Sequence, residues 1–478
     1  MVAYYRFAGL IASIAVILNL LILWATLQNL GATLSLAGLA GVILTVAMAI
    51  DANVLVYERV KEEFAESKKI GSALATGYKK AYSAIIDSNI TTIIAALILL
   101  NFDAGPIKSF ATNLIIGIAS SMFTALFMTR FYFTGWAKNP NNKILKMANW
   151  IRVTKFDFLK WTNKAFIVAA LFITFGSAFI FIHRSSIFGM DFTGGYSLNL
   201  ELKEFDGNYT TSIEKALLAV GLSTHDFQIR ELSPSNHLRL LLGTSLEQPG
   251  KPFYKMAREE NGKNPRIDWT LHAIQREGLS LTTQAALQIE SNWTAMSGQM
   301  SDNMRNNALI GLFISFICIF IYLALRFEYK FASAALICLF HDVFITLAFL
   351  GIFYACGIEI QIDLNTIAAL MTIVGYSLND TIIIFDRIRE EIRLMPGQKL
   401  PTVVNYALNA TLSRTTITSG TTLLVLIALV LLGGSSIFGF ALVMAIGVFF
   451  GTLSSWFIAA PLMIFFAKRE KTSDIAIV

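Results

Sequence analysis

The sequence predicts a polytopic α-helical membrane protein of about ten spans in two parallel pseudo-repeats, with one α+β domain outside the bilayer. Three observations carry that fold class: a composition too apolar for solvent, ten apolar runs broken by one long polar interval, and an internal repeat at a nearly fixed offset. Of the 478 residues, 55% are hydrophobic and only 15% charged, whereas a soluble protein of this size carries about 25% charged residues. Mean hydropathy is +0.60. The nine prolines and the long apolar runs exclude a disordered or collagenous chain. The net charge of +6 reads, in a membrane protein, as basic loops on the cytoplasmic side. No nucleic-acid partner is expected. Cys318, Cys338 and Cys356 are too scattered for a disulfide framework or a zinc site and read as packing residues.

A span needs about 20 mostly apolar residues. That ruler places the first four at 7–28, 34–57, 83–101 and 109–136, within a region 1–137. A linker at 138–163 leads to the fifth span at 164–183, and a polar domain at 184–305 follows. Five more spans, at 306–325, 331–354, 364–385, 415–432 and 436–467, fill 306–467 before a tail at 468–478. Lysine and arginine set the orientation. Arg59, Lys61, Lys68, Lys69, Lys79 and Lys80 follow the second span, and Lys138, Lys143, Lys146, Arg152, Lys155 and Lys160 follow the fourth. Arg387, Arg389, Arg393 and Lys399 follow the eighth, and Lys468, Arg469 and Lys471 the last, while the opposite short loops hold only Lys108. Both termini are therefore expected in the cytoplasm, and 184–305 on the outer face.

Inside that domain the pattern changes to strand-like alternation. Tyr196–Lys203, Phe227–Leu232, His237–Gly243 and Thr282–Glu290 read as strands, with helices at Thr210–Leu222 and Trp269–Glu277 and a Ser-Pro-Ser-Asn turn at 233–236. The polar stretch 247–263 reads as a loop insertion in a split β-α-β plan.

The chain repeats itself. Residues 45–63 lie over 373–391 at an offset of 328, so that Asp51 overlies Asn379 and Arg59 overlies Arg387; residues from Thr91 lie over those from Thr421 at 330. Two copies with the same orientation are parallel repeats about an axis along the membrane normal.

At these residues the sequence resembles a known family. AMAIDANVLVYERVKEE, SAIIDSNITT and GPIKSFA are similar to the SecD side of the SecD–SecF family, and FGMDFTGG, VGYSLNDTIIIFDRIREEIR and LNATLSRTTITS to its SecF side. The resemblance spans almost the whole chain and implies the accessory part of the Sec protein-export machinery, related to RND transporters, in the bacterial cytoplasmic membrane. It also implies the SecYEG channel, YajC/YidC-type accessory proteins and an unfolded preprotein as partners. The start at Met1 resembles that of a third SecD span, so the missing SecD front part is expected either on the same longer fusion or on a separate chain. The 247–263 stretch is longer than the family's usual domain.

An ionised carboxylate at mid-membrane costs about 2.5–3.5 kcal/mol even on lenient insertion scales. Asp51 and Asp380 both sit inside spans, at nearly equivalent depth in the two copies. Arg414, opening the ninth span before Thr415, Thr416, Thr418 and Ser419, can reach Asp380 as a counter-charge. Burial disfavours an ionised acid and an approaching cation favours it. Movement of such a cation therefore loads or unloads a proton. Asn53, Asn379 and Thr381 can line a hydrated path. Asp51, Asp380 and Arg414 otherwise form a static polar cluster that fixes helix packing, and the resemblance, which implicates matching residues in proton flow, favours the relay. His341 and Asp342 either extend the path or tie the seventh span to its neighbours. Glu58-Arg59 and Asp386-Arg387 read as interfacial salt bridges, Asp87 as a cap of the third span, and Gly189–Gly195 as a turn into the outer domain.

The expected function is a proton-driven auxiliary of protein export. An RND-type exporter of lipid or drug is the alternative, against which stands the small outer domain. An intramembrane aspartyl protease would use two aspartates, but the contexts Ala-Ile-Asp-Ala and Leu-Asn-Asp-Thr lack that class's motifs, so no enzyme is expected. No phosphate-binding Gly-x-x-x-x-Gly-Lys-Ser/Thr motif occurs. Energy input is expected to be ionic, from protons or sodium, without a cofactor or metal.

Overall fold

The computed structural model describes the chain except residues 33–34, 102–104, 140, 142–144, 146, 149–155, 184–186, 204–206, 224–225, 232–235, 258–263, 277, 297, 359 and 476–478. The loop cations Lys143, Lys146, Arg152 and Lys155, most of the 233–236 turn and the end of the 247–263 insertion lie outside the described residues.

Among the described residues, ten helices are long and apolar enough to cross a membrane. They are α1 (Phe7–Asn29), α2 (Leu36–Ser67), α3 (Ile70–Leu99), α4 (Gly105–Phe123, continued by a π turn at Thr124–Met128 and by Thr129–Ala137) and α5 (Thr162–Ile182). After the outer domain come α8 (Gly298–Arg326), α9 (Tyr329–Ala355), α10 (Leu364–Leu394), α11 (Leu400–Leu432) and α12 (Ser435–Ser454, a π turn at Ser455–Ala459, and Ala460–Ile475). Several run well beyond the expected spans. Hydropathy measures the membrane, whereas a helix continues into water for as long as its charged arm is paired. Thus α2 and α10 continue through Arg59–Glu63 and Arg387–Glu391, and α11 starts at Leu400 with a proline in its first turn, where no N–H is needed. Caps set the other ends: Asp363 accepts from the Thr366 amide at 2.8 Å to start α10, and Ser35 from Gly38 at 3.0 Å to start α2.

Burial sorts the helices. In α10, 94% of the apolar window is buried, against 11% in α5, so α10 is the central post and α5 an outer one. Small residues bring the helices close. A Cβ on Gly447 of α12 would lie 2.1 Å from Ile373 of α10, and one on Gly117 of α4 would lie 2.3 Å from Thr45 of α2. These two contacts superimpose under the repeat. On α5, a Cβ at Gly176 would lie 2.2 Å from the Ala348 carbonyl of α9.

Repeat-related residues also meet one another, which places them on the pseudo-twofold axis. Phe110 and Phe440, 330 apart, stack edge to face with ring centroids 5.3 Å apart. Midway along the axis, Asn379 donates to the carboxylate of its counterpart Asp51. At the charged ends of α2 and α10, Arg59 contacts Glu62 at 3.0 Å and Glu390 at 2.9 Å, while Arg387 contacts Glu390 at 3.0 Å and Glu62 at 3.3 Å. Lys80 of α3 joins the same ring, 3.3 Å from Glu390. Glu58 instead accepts from the Tyr5 hydroxyl at 2.8 Å and lies 3.5 Å from Lys61. Partly exposed pairs contribute little singly and more as a network. A double-mutant cycle on Arg59→Gln and Glu390→Gln, read by thermal unfolding in detergent, should give a coupling of about 1 kcal/mol; additivity would show that the ring does not join the halves.

The outer domain runs β1 (Gly195–Glu201), α6 (Tyr209–Ala219), β2 (Phe227–Glu231), β3 (His237–Gly243), α7 (Pro265–Gln275) and β4 (Trp293–Met296). Its antiparallel sheet has the order β2-β3-β1-β4, a split β-α-β arrangement. Inward residues Leu198, Leu200, Leu238, Leu240 and Leu242 pack with Ile213 and Leu217 of α6 and Ala273 and Ile274 of α7. The fourth strand is not at Thr282–Glu290. There the Thr282 hydroxyl accepts from the Ala285 amide at 3.2 Å and starts a helical turn, Thr283–Leu287, because alanines without β-branching favour a turn over a strand. The Gly189–Gly195 segment likewise is more than a turn. Met190–Thr193 forms one helical turn, and the Asp191 carboxylate accepts from the Leu364 amide at 3.0 Å, tying the domain's entry to the start of α10. Gly194 and Gly195, at φ +73° and +140°, make the reversal into β1.

The described part of the polar insertion folds onto the domain through buried Phe253 and through Lys251, 2.6 Å from Asp226. Burial alone would raise the Asp226 carboxyl, yet hydrogen bonds from Lys251, the Ser223 amide and the hydroxyls of Ser245 and Ser223 hold it well below the usual aspartate range. A carboxyl lowered in the folded state contributes stability above its unfolded value of 3.8, and that contribution is lost as pH falls below it. Hydrogen exchange of the β2 and β3 amides should therefore speed up on acidification below that value, and Asp226→Asn should remove most of this pH dependence. Of the three cysteines, Cys338 is buried and Cys318 half-buried, but Cys356 is exposed, because it follows the end of α9 and does not pack.

Candidate membrane-embedded ion site

The central post supplies one acid and the opposite half the other. Asp51 of α2 and Asp380 of α10 are each 5% exposed, and Arg414 of α11 is 4% exposed. Arg414 does not open its helix: because α11 begins at Leu400, it stands mid-helix at the depth of the two acids. It bridges them, with Nη2 2.8 Å from Asp51 Oδ1 and Nη1 3.5 Å from Asp380 Oδ1. The tighter contact is thus with the acid of the other half. Asn379 donates to Asp51 Oδ2, and the Ser419 hydroxyl to Asp380 Oδ2 at 3.1 Å. Behind Ser419, the Thr452 hydroxyl of α12 donates to Ser419 Oγ at 2.7 Å.

Two carboxylates share one guanidinium. The group is neutral when one acid carries a proton and has one net negative charge when neither does, and a buried net charge is costly in the membrane. Proton occupancy is therefore coupled to whatever changes the Arg414 distances. The site also has hydrogen-bonding capacity to spare. Arg414 Nε, Asn379 Oδ1 and Thr415 Oγ1 are buried without a partner among the described residues. Beside Asp51 a cavity of about 10 Å³, the size of one water, is lined by Asn379, Tyr376, Ser88, Asn89 and Thr92 among others.

The remaining polar candidates divide. Asn379 is in the cluster. Asn53 and Thr381 are buried but bond backbone carbonyls of their own helices, Ala49 at 2.8 Å and Ser377 at 3.4 Å, and among the described residues neither is hydrogen-bonded to the acids or Arg414. His341 and Asp342 form a second cluster: His341 Nδ1 lies 2.9 Å from Asp342 Oδ1, and Ser377 of α10 donates to Asp342 Oδ2. Asp87 does not cap a helix. Since α3 starts at Ile70, Asp87 is mid-helix, where it pairs with Arg326 Nε of α8 at 2.7 Å and accepts from the Tyr322 hydroxyl at 3.0 Å. Sequence reading missed this pair and Thr452. The first had a usable signal, an acid near an apolar run and an arginine ending the sixth span; the second had none, since its repeat counterpart is an ordinary methionine, Met122.

Known proteins resemble this chain in sequence and in fold. A family model described as "Protein export membrane protein SecD/SecF, C-terminal" matches residues 1–138 and 279–469. The protein translocase subunit SecDF of Brucella abortus is 30% identical over 99% of this chain and 59% of its own length. That of Bacillus subtilis is 30% identical over 100% of this chain and 63% of its own. The crystal structure of SecDF from Thermus thermophilus, described as a translocon-associated membrane protein, superimposes with a TM-score of 0.82 at 29% identity, covering 98% of this chain and 60% of that one. The chain thus spans about three fifths of the length of these relatives.

Proposed function

Because the chain belongs to the SecD/SecF family of protein export membrane proteins, we propose that it is a proton-driven auxiliary of the Sec translocase, assisting protein export across the bacterial cytoplasmic membrane. The observation that carries this reading is the single guanidinium of Arg414 held between two buried acids from opposite halves. Export against no chemical substrate of its own needs a device that turns ion flow into relative movement, and a shared cation on a pseudo-twofold axis is such a device. Protonation of one acid loosens its hold on Arg414; the guanidinium then shifts toward the other acid and the halves move with it.

In this reading both termini are cytoplasmic, and the β-sheet domain stands on the outer face, where it meets an unfolded preprotein. The entry of that domain is tied to α10 through Asp191 and Leu364, so a movement of the post that carries Asp380 is passed to the domain. The partners are the SecYEG channel, YajC/YidC-type proteins and the SecD front portion that the longer relatives carry. The protein acts without a cofactor, and protons, not sodium ions, are the coupling ion. Proteoliposomes holding the translocon, its ATPase motor and this chain together with that front portion provide the test. Imposing a proton gradient should raise the yield of translocated precursor, and a protonophore should return it to the level without the chain. A yield that follows a sodium gradient instead would reassign the ion, and one indifferent to both would reject the reading.

A further inference from the structure

Asp342 is fully buried on α9, and the basic side chain within 4 Å of it among the described residues is the imidazole of His341, not a lysine or arginine. The groups that face it are His341 and Cys338 of its own helix, Ser377 of α10 and Gly451 of α12. The α5 residues beside His341, among them Ala165, Val168 and Phe172, are apolar. Asp342 thus lacks the lysine or arginine partner within 4 Å, among the described residues, that Asp87 has in Arg326.

Two lines of polar groups run from this acid toward Asp380, each with one step that no hydrogen bond spans among the described residues. Along α10, Ser377 lies one turn before Asp380, about 4.5 Å of helix rise, and its hydroxyl is the one that donates to Asp342. Across α12, Asp380 is bonded to Ser419 and Ser419 to Thr452. The next residue, Gly451, is bare: a Cβ there would come 3.0 Å from Ser377 Oγ and 3.6 Å from Asp342 Oδ2. The hydrogen-bonded seam Asp51–Arg414–Asp380–Ser419–Thr452 ends at Thr452, and the bare Gly451 beside it faces a second hydrogen-bonded group, Ser377, Asp342 and His341. His341, whose Nε2 is buried without a partner among the described residues, also lines an apolar cavity of about 130 Å³ beneath α5.

We propose that Asp342, held by His341 and Ser377, is a third proton-carrying acid of the path, placed where this second group reaches the underside of the helix that leads into the β-sheet domain. The proposal rests on the proton-driven reading above. Within each hydrogen-bonded group the proton hops between oxygens, one O–H bond breaking as the next forms; rotation of the Ser377 hydroxyl away from Asp342 carries it across the gap at Gly451, the serines and threonines end neutral, and the net change is one proton lost by Asp342 and one gained by Asp380, or the reverse. When Asp342 changes charge, the His341 ring beneath α5 changes its hydrogen bonding, and the cavity gives α5 room to answer.

Asparagine separates this role from a packing role, because it can keep hydrogen bonds to Ser377 and His341 but cannot carry the proton. In the full chain, Asp342→Asn should lower gradient-stimulated export about tenfold or more, as loss of a positioned proton carrier does, with an unchanged thermal unfolding profile; activity within about twofold of the parent would overturn the proposal. Infrared difference spectra of the parent protein between acid and neutral pH give a second readout that needs no active variant. A protonated-carboxyl band should be lost in Asp342→Asn and displaced in Asp342→Glu, and a spectrum identical to the parent's would equally overturn it. Asp380→Asn measured in parallel keeps the two claims apart. Full activity there rejects the proton-driven reading itself, whereas loss there with retention in Asp342→Asn rejects only the third acid.

Discussion

Replacing Asp380 with asparagine abolishes the gradient-dependent part of export while the protein still inserts and folds. The substitution keeps volume, and the amide oxygen still accepts from Ser419. Arg414 keeps its closer partner, Asp51, at 2.8 Å, so no buried cation is left alone and the membrane core loses little. What disappears is the second carboxylate, and with it the choice of two positions for one guanidinium. Export in proteoliposomes should drop to the level reached with a protonophore, a loss of about 10²-fold or more in proton-coupled flux. Addition of a gradient should then change nothing. Gradient-stimulated export at the parent level in Asp380→Asn would remove this acid from the mechanism.

Arg414→Ala should be worse for the molecule and equally severe for activity. Removing one partner of a buried charge group leaves the others uncompensated, at a cost of about 3–5 kcal/mol. Here two acids from opposite halves would face each other across the axis without their cation. The purified variant should unfold at a clearly lower temperature and lose gradient-dependent export. Adding Asp51→Asn and Asp380→Asn to Arg414→Ala should recover much of the thermal stability, since the stranded charges are gone, and none of the activity. Failure of the triple variant to regain stability would show that Arg414 acts through packing rather than through its charge, while retained export in Arg414→Ala would exclude it from coupling.

Much of this site was legible in the chain because a carboxylate inside an apolar run is costly enough to be conspicuous. Asp51 and Asp380 stood out for that reason, and the 328-residue offset placed Asp51 opposite Asn379, which the structure brings into hydrogen bond. The preference of Arg414 for Asp51 was not legible. It depends on how α11 is rotated against α2, and rotation about a helix axis leaves no trace in hydropathy. Helix ends were misjudged for a related reason: Asp87 and Arg414 looked terminal because the apolar ruler stops at the membrane boundary, while both helices continue as paired or amphipathic arms. In the β-sheet domain, alternation located β1, β2 and β3, whose leucines face one core. The last strand escaped because Thr282–Glu290 is too short and too polar to separate a strand from a capped turn by pattern, and because β4 is held mainly by pairing with β1.

The two π turns belong to the repeat. A π turn accommodates an extra residue in a helix and is seldom found without a local reason. Here one occurs at Thr124–Met128 of α4 and another at Ser455–Ala459 of α12, within a residue of the spacing that relates the flanking repeats. Both copies of the repeat thus carry the same local widening of the helix at matching positions. By the same alignment Arg414 falls over Ala84, and Asp380 over Ala52. The π turn is common to the two copies, whereas the cation between the acids is carried by one of them. A symmetric frame thus carries an asymmetric charge, and that asymmetry gives the pair of halves a direction.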